Sequence, residues 1–205
     1  MKMGVLQKGI WVIFRPTFQK NLGMLGVEEP NEFMKKVKMK YYDILRDIPE
    51  FGENDILIKN IISAAMYAAV YLNLEKKPSI DVLADYYETA MGSNNLMKFF
   101  LRRTNYYTKK TQNKLKKGAE RSQLSLNPYS WRYKLYEGET INEFDAIFDR
   151  CGIWHMMKEL GIPEATPALC RYDYGMAKET NTIFTREQTL AGGGSVCDCH
   201  YKKKK

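Results

Sequence analysis

Trp131-Arg132-Tyr133-Lys134-Leu135-Tyr136-Glu137-Gly138-Glu139 is the stretch that decides the fold class. Its first six residues alternate with a period of two, the signature of a half-buried strand, and the Glu-Gly-Glu cluster that follows reads as a turn. The return segment, Ile141 to Asp149, puts Phe144, Ala146 and Phe148 on one face. Period two fits it as well as a helix does, and the preceding turn decides for a strand.

Working outward toward the C-terminus, Gly152 to Leu160 reads as a short helix stopped by Gly161 and Pro163, and Pro167 to Lys178 as a second helix opened by its proline. Thr182 to Leu190, the run Gly192-Gly193-Gly194, and Ser195 to Tyr201 read as a second hairpin. Two hairpins separated by two short helices predict a four-stranded antiparallel sheet.

Toward the N-terminus the period changes. Phe33, Val37, Tyr41, Ile44 and Leu45, then Ile58, Ile61, Ile62, Ala65, Ala69 and Leu72, recur at helical spacing. Pro30-Asn31 opens one helix and Pro49 with Gly52 closes it; Pro78-Ser79 caps the run Ile80 to Ala90, which Gly92-Ser93 ends. Four or five helices are expected before Arg121. The fold class is therefore α+β, with an N-terminal helical half packed on one face of the sheet. Residues 1–205 read as a single domain, comprising a helical half 1–121, an α+β half 128–201, and a basic tail 202–205 that reads as disordered.

With 44% hydrophobic and 27% charged residues among 205, the chain can fill a core without disulfides or metals. Ile56 to Leu74 is the most apolar stretch, but Lys59, Asn60, Ser63 and Asn73 interrupt it well short of the ~20 residues a bilayer span requires. It reads as a buried helix, and no membrane partner is expected. The opening MKMGVLQKGIWVIF lacks a small-residue cleavage site before the charged segment, so a cytoplasmic location is expected. The four cysteines, Cys151, Cys170, Cys197 and Cys199, all lie in the last third and are expected to stay reduced.

Half of the formal net charge of +8 comes from Lys202 to Lys205, since 8 − 4 leaves +4. Lys98 to Arg121 holds nine Lys or Arg against Glu120 alone, interleaved with Phe99, Phe100, Tyr106 and Tyr107. A solvated helix face with its aromatic side packed explains this better than a nucleic-acid surface, so no nucleic-acid partner is expected. The chain lacks G-x-S-x-G, H-E-x-x-H and Walker motifs.

Among residues that can carry chemistry, Cys170 and Asp173 lie three apart in a helical segment, so both can face one cavity. A thiolate is the effective nucleophile, and Arg171 or the helix N-terminus at Pro167 is expected to lower the pKa of Cys170. A core cysteine beside a surface Asp is the blander alternative. In the last strand Cys197 and Cys199 share one face and Asp198 and His200 the other. Without a C-x2-C pair matched by a second one, no metal is expected there. His155 follows Cys151 by four residues, as a proton carrier, a ligand or a structural residue.

Taken in order, Cys151-Gly152-Ile153, Cys170 with Asp173, Arg186 with Thr189-Leu190-Ala191, Gly193, and Cys197-Asp198 resemble the L-2-amino-thiazoline-4-carboxylic acid hydrolase family. The likeness extends upstream through Ser122-Gln123, Pro128-Tyr129, Trp131 and Glu137-Gly138, and more loosely to about Tyr42. The resemblance implies hydrolytic opening of a 2-aminothiazoline carboxylate to a carbamoyl-cysteine; no cofactor is expected, with a metal left open. Carbon C2 of that ring, bonded to two nitrogens and sulfur, becomes strongly electrophilic once the amidine is protonated. In that reading Cys170 attacks C2, Asp173 protonates or orients the amidine, and Arg186 holds the substrate carboxylate, with Thr189, Cys151, Cys197 and Asp198 around the small-molecule substrate. Attack by water assisted by Asp173 or Asp198 stays open, as does a non-catalytic small-ligand or metal-binding module; the oligomeric state is not legible. The chain departs from the family pattern at Cys199, His200 and Arg150, which bears on the substrate if those residues line the cavity.

Overall fold

Punctuation in the sequence becomes helix ends in the computed structural model, which describes residues 1–52 and 57–205. Ile56, the first residue of the apolar stretch, lies outside the described residues. The helical half comprises α1 (Val5–Lys20), α2 (Pro30–Asp47), α3 (Ile58–Asn73), α4 (Ile80–Gly92), α5 (Asn95–Arg103) and α6 (Lys109–Ser122). Pro30 occupies the first turn of α2, where its missing N–H costs nothing. The Ser79 hydroxyl accepts from Val82 N to cap α4, as its sequence position predicts.

Among the described residues six α-helices stand where four or five were expected, because the basic stretch is two helices. Thr104 leaves helical geometry after Arg103, and the Thr108 side chain accepts from Thr111 N to start α6. The aromatic residues of this stretch also divide: Tyr107 is buried, whereas Phe99 and Phe100 are exposed, against the expectation of a packed aromatic side.

α3 is buried almost all round, with Ile61, Ile62 and every residue from Ala64 to Tyr71 in the core. Its apolar residues pack with α1, α2 and α4 and also with Met156, Met157, Ala168, Leu169 and Tyr172 of the C-terminal half. Tyrosines in this core end on carbonyls: Tyr67 Oη donates to Ala165 O at 3.0 Å, Tyr86 Oη to Phe18 O at 3.2 Å and Tyr41 Oη to Gln7 O at 3.0 Å. Each polar tip is satisfied, so the ring area is buried without an orphaned hydroxyl.

The C-terminal half runs β1 (Arg132–Glu137), β2 (Glu143–Arg150), α7 (Gly152–Glu159), α8 (Thr166–Glu179), β3 (Thr182–Thr185) and β4 (Cys197–Lys203). The four strands form one antiparallel sheet in the order β1-β2-β4-β3. α6 packs on β1 and α8 on β3. Register places Phe148 opposite Cys197, Ala146 opposite Cys199 and Phe144 opposite Tyr201, so one face of the sheet is the aromatic and thiol face turned to the helices.

Two strand boundaries differ from the expectation. β3 stops at Thr185, because Arg186 turns inward to an ion pair described below. β4 continues to Lys203: Lys202 lies opposite Glu143 and Ile183, and Lys203 N donates to Asn142 O at 2.8 Å, so the first two tail lysines are part of the sheet. Their backbone has partners on both sides, which their charge does not reveal. No helix among the described residues is long and apolar enough to cross a membrane.

Candidate functional site

The cap of α7, α8, the segment after β3 and β4 bring Cys151, Cys170, Asp173, Arg186, Cys197 and Cys199 together. Cys151 caps α7, its Sγ accepting from Trp154 N at 3.5 Å. Its position is held by Gly152, where an added Cβ would overlap the Tyr129 carbonyl and press on Ile61. Cys170 and Asp173 occupy successive turns of α8. Cys197 and Cys199 come from the inner face of β4.

Arg186 ties the group together. Its Nη1 donates to Asp173 Oδ2 at 2.7 Å and its Nη2 to Cys170 O at 2.9 Å. The guanidinium also lies 5.4 Å from the Phe184 ring centroid and 5.7 Å from that of Tyr174. Its side chain is 7% exposed, so this is a buried cation whose hydration is replaced by a carboxylate, a carbonyl and two aromatic faces.

Asp173 keeps 36% of its side chain accessible, yet burial raises its pKa, with the charge and hydrogen bond of Arg186 opposing. A carboxyl combines these properties when it faces a concave recess. Only its Oδ2 is engaged by Arg186; Oδ1 makes no hydrogen bond among the described residues.

Burial pushes the Cys170 thiol well above its ordinary range; Asp173 and Cys151 add to the effect and Arg186 opposes it. This corrects the expectation of a lowered pKa. Arg171 is not available for that task, since its Nη1 pairs with Asp81 Oδ1 at 2.6 Å. Burial likewise pushes Cys151 and Cys199 up to about 12 and raises Cys197. At neutral pH all four are thiols.

Between α8 and the segment after β3 lies a cavity of 380 Å³. Cys170, Arg186, Gln188 and Thr189 line it, with Arg171 and Tyr174 at one side. Asp173 is not part of that wall; it is joined to it through Arg186. The segment is anchored to β4 from both faces: Asp198 Oδ1 accepts from Glu187 N at 3.2 Å and Gln188 N at 2.8 Å, and Cys197 Sγ accepts from Leu190 N at 3.3 Å. Thr189 Oγ1 accepts from Gly192 N at 2.9 Å, closing a 3-10 turn. Gly194 packs so closely on Gln188 and Thr189 that a Cβ there would approach to 2.8 Å, which explains the glycine run as a compact loop.

The departures from the family pattern separate in space. Cys199 belongs to the cluster: burial and the charge of Asp173 raise its pKa and Arg186 opposes them. His200 points to the other face, with Nδ1 2.8 Å from Asp145 Oδ1. Arg150 donates to Ser130 O at 3.1 Å and Ser125 O at 2.7 Å, holding the loop before β1. His155 stands edge-on to Tyr129, with centroids 4.7 Å apart. Among the described residues, no three His, Cys, Asp or Glu side chains are grouped to hold a metal ion.

Sequence reasoning missed two residues. Burial raises the pKa of Tyr201 and Tyr106, the charge of Asp173 adds to it, and their rings are 6.2 Å apart. Tyr201 continues the alternation of Cys197 and Cys199 and was findable from it. Tyr106 comes from the α5–α6 connection, and no local pattern links it to α8.

Fold and cluster define a class: an α+β protein with thiol, carboxylate and guanidinium groups gathered between a helix and the inner face of an antiparallel sheet. The family model for L-2-amino-thiazoline-4-carboxylic acid hydrolase matches residues 59–201, from the first turn of α3 into β4, and the chain belongs to that family. No curated protein matches the chain.

Proposed function

We propose that the protein hydrolyses a small cyclic amidine carboxylate, L-2-amino-thiazoline-4-carboxylate or a close analogue, at Cys170 and Asp173. The observation that carries this reading is the carboxylate of Asp173, one turn from the Cys170 that lines the cavity, with Oδ2 paired to the cavity-lining Arg186 and Oδ1 uncommitted. A carboxylate oxygen in a low-dielectric recess favours an amidinium N–H, which is planar and cationic like the guanidinium already on Oδ2.

Because Cys170 is a thiol at neutral pH, its activation waits for substrate. The ring nitrogen of the neutral amidine takes the thiol proton, giving thiolate and amidinium side by side, and Asp173 stabilises the cation. The thiolate adds to C2, the C2–S ring bond breaks, and the substrate sulfur leaves and takes a proton. The carbon is then held on Cys170 as an isothiourea. Water adds to that carbon and Cys170 leaves as the thiol. One water is consumed, both nitrogens are retained, and the product is the carbamoyl-cysteine. Arg186 uses two N–H groups internally and lines the cavity, so its remaining donors suit the substrate carboxylate. Asp198, bound to two backbone N–H groups, fits a role in positioning the cavity loop better than one as a base.

The test is incubation with L-2-amino-thiazoline-4-carboxylate, following substrate and product by mass spectrometry, for the parent and for Cys170→Ala and Asp173→Asn. Turnover lost in both variants supports the reading. Full turnover in Cys170→Ala overturns the covalent route, and no turnover by folded parent overturns the substrate.

The elevation of all four thiols favours a second reading, a non-catalytic small-ligand module, since buried high-pKa cysteines are unreactive. It predicts saturable binding of the same compound without product.

A further inference from the structure

Two segments of this protein carry basic residues and no acidic ones. Residues 1–27 and 89–119 contain 12 of the 32 Lys and Arg and no Asp or Glu, leaving 20 basic against all 24 acidic residues in the remainder. The first segment holds α1 and the second holds α5 and most of α6.

The cap of α5 is tied to α1. Asn94, itself buried, caps α5 by accepting from Met97 N at 3.0 Å and donates its Nδ2 to Ile13 O of α1 at 2.9 Å. Both helices present apolar side chains to solvent. On α1, Val5 is 90% exposed and Val12 68%, with Leu6 and Ile13 also exposed; on α5, Phe100 is 59% exposed and Phe99 47%, with Leu96 beside them. Apart from Asn95 at the start of α5, the exposed polar side chains among them are cations: Lys8, Arg15 and Lys20 on α1, and Arg102 and Arg103 on α5. Arg103 lies over the Phe99 ring at 4.1 Å and Arg102 pairs with Glu179, while Lys8, Arg15 and Lys20 form no ion pair among the described residues.

We propose that the α1–α5 surface docks on an anionic lipid surface, with Val12, Phe99 and Phe100 entering the headgroup layer and the flanking cations facing lipid phosphates and carboxylates. An acid-free helix with exposed aliphatic and phenyl side chains and a basic flank is the pattern of a helix lying in a membrane interface, which is a different condition from spanning one. A second copy of the chain fits poorly, because two-fold pairing of this face brings cations against cations. Nucleic acid attracts the same charge, but valine, leucine and isoleucine gain nothing from a phosphate backbone and do gain from hydrocarbon.

The experiment is co-sedimentation of the full chain with vesicles of phosphatidylcholine alone or with phosphatidylserine added, at low and high salt. The parent is expected to bind the phosphatidylserine vesicles about tenfold or more tightly than the neutral ones, and to lose that margin in high salt. Phe99→Ser with Phe100→Ser, both exposed and hence tolerated by the fold, is expected to weaken binding about tenfold, with the thermal melt unchanged. A separate Val12→Ser variant checks that α1 takes part. Equal sedimentation with both vesicle types, or undiminished binding by the Phe99/Phe100 variant, overturns the proposal. So does retention on single-stranded RNA without vesicle binding, or a dimer in light scattering that the same variant splits.

Discussion

Replacing Arg186 with Met removes the cation that holds the cluster together while keeping a long unbranched side chain between Phe184 and Tyr174. Two charge-assisted hydrogen bonds are lost, at 2.7 Å to Asp173 and 2.9 Å to Cys170 O. Stripping one partner from a buried ion pair costs about 3–5 kcal/mol, and the 36% accessibility of Asp173 places this case at the lower end, about 3 kcal/mol. For a chain of this size that corresponds to a fall of about 6–12 °C in Tm. The loss depends on pH. Burial already raises the Asp173 pKa, and without Arg186 it rises further. A carboxyl with a raised folded-state pKa is tolerated while protonated and destabilises as the pH climbs through that pKa, so the deficit is small in acid and grows toward neutrality. Adding Asp173→Asn removes the unpaired charge and should recover at least half of the loss at neutral pH. Thermal unfolding followed by circular dichroism, for the two single variants and the double variant at several pH values, tests this. If Arg186→Met melts within a degree or two of the parent, or the double variant is no better than Arg186→Met, the account of this ion pair is wrong.

Two further predictions concern the neighbouring residues. Gly152→Ala forces a Cβ into the Tyr129 carbonyl, which is backbone and cannot swing away, so a loss of about 2–3 kcal/mol is expected by chemical denaturation. Raised thiol pKa values predict alkaline lability: Cys151 and Cys199, held up to about 12, keep their protons when the unfolded chain has released them near pH 9, so stability falls between about pH 9 and 12 by up to about 1.4 kcal/mol per pH unit for each group. Cys151→Ala should flatten that decline relative to the parent in denaturant titrations across the range, and an unchanged slope would contradict the burial of its thiol.

Much of the fold is written locally. The alternation of Trp131 to Tyr136, the turn at Glu137-Gly138, and the caps at Pro30, Ser79 and Pro167 depend on a residue and its near neighbours, which is why strands, helices and their order were legible. The break at Thr104 to Thr108 was missed, because a run of lysines and aromatics is compatible with one helix or two until Thr108 is seen capping the second. Lys202 and Lys203 looked like a solvated tail since their charge says nothing about the backbone partners that Asn142 and Ile183 supply.

The sequence by itself determined the α+β class, the two hairpins and the candidate pair Cys170 and Asp173, because period and spacing along one element are sufficient to place residues on a common face. Only the tertiary structure decided what surrounds that pair. Arg186 lies 13 residues beyond Asp173 and clamps it, Asp81 draws Arg171 away, and Cys151 and Cys197 arrive from other elements. Burial is a property of the whole packed molecule, so the direction of every thiol and carboxyl pKa in the site, including the raised Cys170 that sequence reasoning expected to be lowered, is set by what surrounds the group in space.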